Sequence, residues 1–235
     1  MSAGLFGKLP ARRDFISANA SKRFLHVWEP WLQSGIATSR RMLGPAWTEA
    51  YNRAPIWRFW LGSDFCGEAT IGAFMPSVDG VGRQFPLAVF AGEAENSVAP
   101  PEIDSNDLWC EAAEAILLHA LEHGAALEAI VAEVATMPAP VLQPRAGEAA
   151  GARELPDGAI LVRNVDHGIL LAFNEAQQFA HRRALASWSF WWTVGGEGFR
   201  PHVLSQVGLP SAARFVDTLT GSFTDAEAST LGKAP

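Results

Sequence analysis

Tyrosine occurs once and cysteine twice in the 235 residues of this chain. Cys66 and Cys110 both lie in apolar surroundings and show no metal-ligand spacing. They are expected to be buried free thiols in a reducing compartment rather than a disulfide. No run of about 18 apolar residues is present, so no membrane-spanning helix and no membrane insertion is expected. Met1 to Pro10 lacks the long apolar stretch of a secretory signal. Basic residues are also in the minority, 18 Lys and Arg against 25 Asp and Glu, for a formal net charge of -7. Such a surface repels phosphate backbones and anionic lipid, which argues against nucleic acid as a partner. A cytoplasmic location is the expectation.

What the chain has in quantity is aromatic mass of an uneven kind: nine tryptophans and fourteen phenylalanines. Each buried ring removes about 150–250 Å² from water, so most of them must form core. Nine tryptophans still leave room for one or two on a partner-binding surface, where this residue is favoured. Trp31 and Trp57 are the candidates. A hydrophobic content of 49% is that of a globular domain, not of a disordered chain.

Along the chain, Ala3 to Leu9 reads as a strand ending at Pro10, and Arg12 to Asn19 as a polar connection. Ser21 is a plausible helix N-cap. Phe24, Trp28, Trp31, Leu32 and Ile36 recur at helical spacing, with a kink or break expected near Trp28 because Pro30 lies in the run. A second short helix follows over Trp47 to Arg53. Ile56–Leu61, Ala69–Met75 and Phe85–Phe90 read as strands, and Gly62–Gly67 as a turn. Glu93–Pro101 reads as a linker. The next helix has Asp104 or Ser105 as its cap, an apolar stripe of Leu108, Ala112, Ala115, Ile116, Leu118 and Leu121, and its end near Gly124. Another covers Ala125 to Ala135. Pro138 to Asp157 is the expected mobile loop. Ala159–Val162 and Gly168–Phe173 read as hairpin arms, Glu175–Ala184 as a helix, Ala186–Val194 as a tryptophan-rich strand and Leu209–Leu219 as a last helix. Strands and helices alternate without a repeated βαβ unit. The expected fold is therefore α/β (α+β), one domain over residues 1–221 with a mixed, largely antiparallel sheet and helices on both faces. Residues 222–235 are expected to be a flexible tail.

Few constellations could carry chemistry. His119, Glu122 and His123 match the H-x-x-E-H order of inverted zinc peptidases, which a helix would project from one face. The same run ends an amphipathic helix, where histidine suits the negative end of the dipole. Gly4-Leu5-Phe6-Gly7-Lys8 lacks the spacing of a phosphate-binding loop, because Leu9 follows the lysine. No serine sits in a nucleophile elbow. The segment Pro76 to Phe85 is different: Asp79 and Arg83, four residues apart among glycines, can form a bidentate pair that fixes the loop, or present their charges to a partner. With Ser77 they are the candidate loop-fixing or partner-binding residues. No catalytic set, metal or cofactor is assigned.

Several of these segments together resemble the TagF family, also called ImpM, of proteins associated with type VI secretion. The opening Gly4 to Pro10 with Asp14-Phe15 looks like that family's N-terminal signature, and Trp28 with Trp31-Leu32 its next helix. Trp47, Tyr51, Ala54-Pro55 and Trp57-Arg58-Phe59 follow in order. Gly72, Pro76-Ser77-Val78-Asp79, Gly82-Arg83 and Phe85-Pro86-Leu87 form the most specific block. Ser187-Trp188, Trp191-Trp192 and Gly208-Leu209-Pro210 fit the closing pattern. Arg13 departs from it, standing where a glycine would precede the Asp-Phe pair. The resemblance implies a cytoplasmic, non-enzymatic, post-translational repressor of type VI secretion in Gram-negative bacteria. It further implies a forkhead-associated scaffold protein of that system as partner, with a homodimer left open. The rival readings are a zinc-dependent hydrolase using the H-x-x-E-H run and a structural component of the secretion apparatus.

Overall fold

The computed structural model describes residues 3–92, 97–122, 124–143, 152–163 and 168–223. Strand β1 (Gly4–Gly7) and the short β2 (Ile16–Ala18) lead into the long helix α1 (Lys22–Leu43). A 3-10 turn (Gly44–Ala46) joins it to α2 (Trp47–Arg53). Then follow β3 (Trp57–Leu61), the one-turn helix α3 (Ser63–Cys66), β4 (Thr70–Met75), β5 (Leu87–Gly92) and β6 (Ser97–Val98). Helices α4 (Asp107–His119) and α5 (Leu127–Ala135) precede the short strands β7 (Leu142–Gln143), β8 (Ala152–Glu154) and β9 (Ile160–Val162). Helix α6 (Ile169–Leu185), strands β10 (Trp188–Thr193) and β11 (His202–Val207), and helix α7 (Arg214–Thr220) complete the described chain.

Seven strands form one sheet in the order β11-β10-β3-β4-β5-β1-β2, and every neighbouring pair is antiparallel. The expected fold class, a largely antiparallel sheet with helices on both faces, is what is observed. Alternation along the strands splits the apolar residues into two cores. Trp57, Phe59, Phe74, Phe90 and Trp191 face α1, α2 and α7. Trp60, Ile71, Ala73, Met75 and Val89 face α4 and α5.

The first of these cores is an aromatic layer. Trp28 lies 4.4 Å from Phe59 and 5.0 Å from Trp31, and Trp31 lies 4.7 Å from Trp191. Gly72 is required here: a Cβ on it would stand 2.1 Å from the Phe59 ring, which lies across β4. The indole N–H groups of Trp31, Trp57 and Trp60 tie distant segments together. Trp31 donates to the Pro210 carbonyl at 2.8 Å and Trp57 to that of Thr218 at 2.9 Å. Trp31 and Trp57 are thus buried structural residues, which removes both as surface contacts.

Several local expectations need correction. Helix α1 runs unbroken through Pro30, capped at Ser21, whose hydroxyl accepts from the Phe24 N–H at 3.1 Å. An interior proline costs about 3 kcal/mol, and the buried aromatic face of α1 outweighs it. The supposed connection over Arg12 to Asn19 contains β2, the linker contains β6, and the Gly62–Gly67 turn contains α3. Ile160–Val162 pairs with Ala152–Glu154, not with residues 168–173. The latter open α6, since a short apolar run fits either period. The predicted mobile loop therefore carries β7 and β8, with 144–151 outside the described residues. Strand β11 was not foreseen, because its side chains alternate weakly in polarity. The last helix begins at Arg214 rather than Leu209. The residue before α4 is Asn106, at φ 53, not Asp104 or Ser105. Of the expected tail, 224–235 lie outside the described residues.

Helix α4 is rotated from its expected face. Trp109, Cys110, Ala113, Ile116 and Leu117 are buried, while Leu108 and Leu118 are exposed. Sequence periodicity alone could not choose between two apolar stripes one residue apart. Leu117→Ala is therefore expected to cost about 2–5 kcal/mol, whereas Leu118→Ala should stay within about 0.5 kcal/mol. Urea denaturation of the two variants distinguishes the observed face from the expected one.

Candidate functional site

The end of β1 and the connection from β4 to β5 meet around a buried carboxylate. Asp79 is almost fully enclosed, and its Oδ2 accepts from Lys8 Nζ at 2.9 Å and Arg83 Nε at 2.7 Å. Its Oδ1 accepts from the backbone N–H groups of Val81 at 3.1 Å and Arg83 at 2.8 Å. Burial alone would raise the Asp79 carboxyl, but the Lys8 ammonium and the N–H groups of Arg83 and Val81 more than reverse this. The carboxyl is held well below the usual carboxylate range.

The expected bidentate Asp79–Arg83 pair is replaced by a wider arrangement. One side-chain bond comes from Arg83 Nε, while Arg83 Nη2 donates to the Arg13 carbonyl. Lys8 takes the remaining side of the carboxylate and lies 5.2 Å from the centre of the Phe15 ring. Ser77 is buried, and its hydroxyl donates to the Lys8 carbonyl at 2.7 Å. Tyr51 Oη donates to the Ser77 carbonyl at 3.0 Å, and burial raises its phenol. The Gly80 N–H donates to the Arg12 carbonyl and the Gly82 N–H to that of Asp79. Gly82, at φ 83, takes the left-handed conformation that closes the turn. Arg13 is not among the residues at positive φ, so the turn there does not require the glycine of the family pattern.

Sequence reading missed Lys8, treating it as the end of an incomplete phosphate loop. The available signal was a lone lysine at the end of an otherwise buried strand. Also missed was Arg58, which is buried on β3 and binds Glu114 at 2.6 Å and Asp107 at 3.0 Å, tying the sheet to α4.

The inner side of the loop is occupied by these contacts, and its outer side is not. Val81, Arg83 and Phe15 present largely exposed side chains. Val78 of the same loop lines a cleft of about 660 Å³ together with Pro10, Arg12, Leu121 and Leu127, among others. Arg12 pairs with Glu128 across its rim.

Among the described residues the other candidates form no site. Helix α4 ends at His119, and the Glu122 N–H bonds back to the His119 carbonyl in a tighter turn, so the run is not helical throughout. His119 Nδ1 is engaged by Glu133, whose hydrogen bond raises the imidazole pKa. His123 lies outside the described residues. No cluster of three metal-ligating side chains occurs among the described residues. Cys66 and Cys110 are free and lie on opposite faces of the sheet. Burial pushes their thiols up to about 11 and about 12, which suppresses the nucleophilic thiolate at neutral pH.

A family model described as the TagF N-terminal domain, type VI secretion system-associated, matches residues 4–137. The chain belongs to the TagF N-terminal domain family. A solved relative, PA0076 from Pseudomonas aeruginosa PAO1, is 34% identical, with a TM-score of 0.78 over 95% of this chain and 96% of that chain. No curated protein matches the chain. The Lys8–Asp79–Arg83 arrangement lies within the matched family segment. Among the described residues no helix is long and apolar enough to cross a membrane.

The depressed Asp79 carboxyl sets an acid limb. Its stabilisation is present above the unfolded-state value of about 3.9 and is lost as pH falls through that value toward the folded one. The thermal midpoint of the wild type should therefore drop below about pH 4. Asp79→Asn should melt lower at neutral pH and show a flatter acid limb. Parallel curves for the two proteins would remove Asp79 from this role.

Proposed function

We propose that this chain is a cytoplasmic, non-enzymatic repressor of type VI secretion that acts after translation by binding the forkhead-associated scaffold protein of that system. Membership of the TagF family supplies the association with type VI secretion. The observation that carries the binding reading is the Pro76–Phe85 loop. Its inner polar groups are used to hold its shape, leaving Val81, Arg83 and neighbouring Phe15 displayed in a fixed arrangement. A surface already ordered binds without the entropic cost of ordering it. Arginine and aromatic side chains are favoured at the energetic centre of such contacts.

The docking test must separate the displayed side chains from the buried one that supports them. Val81→Asp should leave the thermal midpoint unchanged and weaken retention of the scaffold at least about tenfold, the equivalent of about 1.4 kcal/mol. Arg83→Ala should weaken it as well, with a modest loss of stability because Asp79 loses one partner. Affinity capture with purified scaffold and a melting curve on each variant provide the measurement. Normal binding by folded Val81→Asp and Arg83→Ala would move the docking face elsewhere, and a wild-type chain that retains no scaffold would end the functional reading itself.

A further inference from the structure

Strand β11 terminates the sheet, and among the described residues no strand pairs with its outer edge. That edge lacks the devices that usually keep sheet edges apart. Between His202 and Val207 there is no Lys, Arg, Asp, Glu or Pro, and its register against β10 runs without a bulge.

Two hydrogen bonds orient every backbone group on this edge. The Gly208 N–H donates to the Ser187 carbonyl at 2.9 Å, while the Trp188 carbonyl turns the other way and accepts from Gly62, also at 2.9 Å. Antiparallel ladders alternate bonded and non-bonded pairs. Given the register Trp188↔Val207 to Thr193↔His202, His202, Leu204 and Gln206 bond inward to β10. Val203, Ser205 and Val207 therefore turn their N–H and C=O groups outward. Their side chains share one face with Trp188, Phe190 and Trp192. The three rings are half-buried, and Val203 and Val207 are 79% and 63% exposed.

We propose that a second copy of this chain pairs with β11, antiparallel, about a two-fold axis through Ser205. Ser205 then faces Ser205 of the second copy, and each Val203 faces a Val207. All three outward N–H and C=O groups of each copy are satisfied, and the half-buried aromatic faces become continuous across the axis. The register is selective. A slip of one residue would place the apolar face of one copy beside the opposite face of the other. A slip of two in one direction sets Pro201, which has no N–H, opposite Val207. In the other direction it moves Val203 opposite Leu209, beyond the strand. Self-complementarity of this kind identifies a like chain as the occupant. A six-residue edge is only about 20 Å long, and the contact falls in the small class, below about 1,200 Å² in total. The dimer is accordingly reversible and concentration-dependent.

The test is sedimentation velocity on the full chain over roughly a hundredfold range of concentration, with circular dichroism to show that each variant is folded. The wild type should shift from monomer toward dimer as concentration rises. Val203→Lys and Val207→Glu should each weaken self-association at least tenfold, since both side chains are exposed in the monomer. The double variant V203K/V207E should recover it, because the introduced lysine faces the introduced glutamate twice across this axis. A wild type that stays monomeric throughout overturns the proposal. So does an unaffected V203K dimer, or a double variant no better than its singles. A monomeric wild type whose V203K variant loses the scaffold would assign the edge to that partner, and equally overturns it. Scaffold binding through the Pro76–Phe85 loop is read separately, since monomeric V203K should retain it.

Discussion

Trp28 stacks on Phe59 at 4.4 Å and shares Trp31 and Trp191 as neighbours, so a single aromatic layer joins α1 to the three strands β3, β4 and β10. The other elements on that face are placed by it. Phe215 of α7 packs on Trp31, and the Trp31 and Trp57 indoles hold the carbonyls of Pro210 and Thr218. The layer also explains why a helix can carry Pro30 without breaking. A large apolar area removed from water outweighs one missing hydrogen bond.

The second face of the sheet is covered unequally. Helices α4 and α5 lie over the strands on the β1 side, anchored by Arg58 to Glu114 and Asp107. Beyond β3 the cover thins. The burial of β10 alternates between full and half, and that of β11 between half and open. The rings of Trp188, Phe190 and Trp192 therefore lie at the boundary between core and surface. Aromatic side chains suit such a boundary, since they combine large apolar area with little rotameric freedom.

The Asp79 loop shows the opposite use of polarity. A buried carboxylate is costly unless its charge and lone pairs are met. Lys8 meets it from the end of β1, and Arg83 with two backbone N–H groups meets it from within the loop. Because Lys8 directly follows β1, the strand paired with β5, the loop shape is coupled to the sheet and not to local turn preference alone. The same contacts that satisfy the interior leave Val81 and the outer side of Arg83 facing water, a division of roles within ten residues.

The sequence by itself determined the class of fold, the order of most elements, the α1 cap at Ser21 and the singular character of the Pro76–Phe85 block. These depend on residue period, local turn chemistry and an ordered set of motifs, all of which are local along the chain. Only the tertiary structure decided that Trp31 and Trp57 are interior, that α4 buries Leu117 and not Leu118, that Lys8 is a partner of Asp79, and that β11 forms the last strand of the sheet. Each of those outcomes depends on which distant segment covers a given face. Burial and pairing are set by neighbours far away in sequence, and no local pattern specifies them.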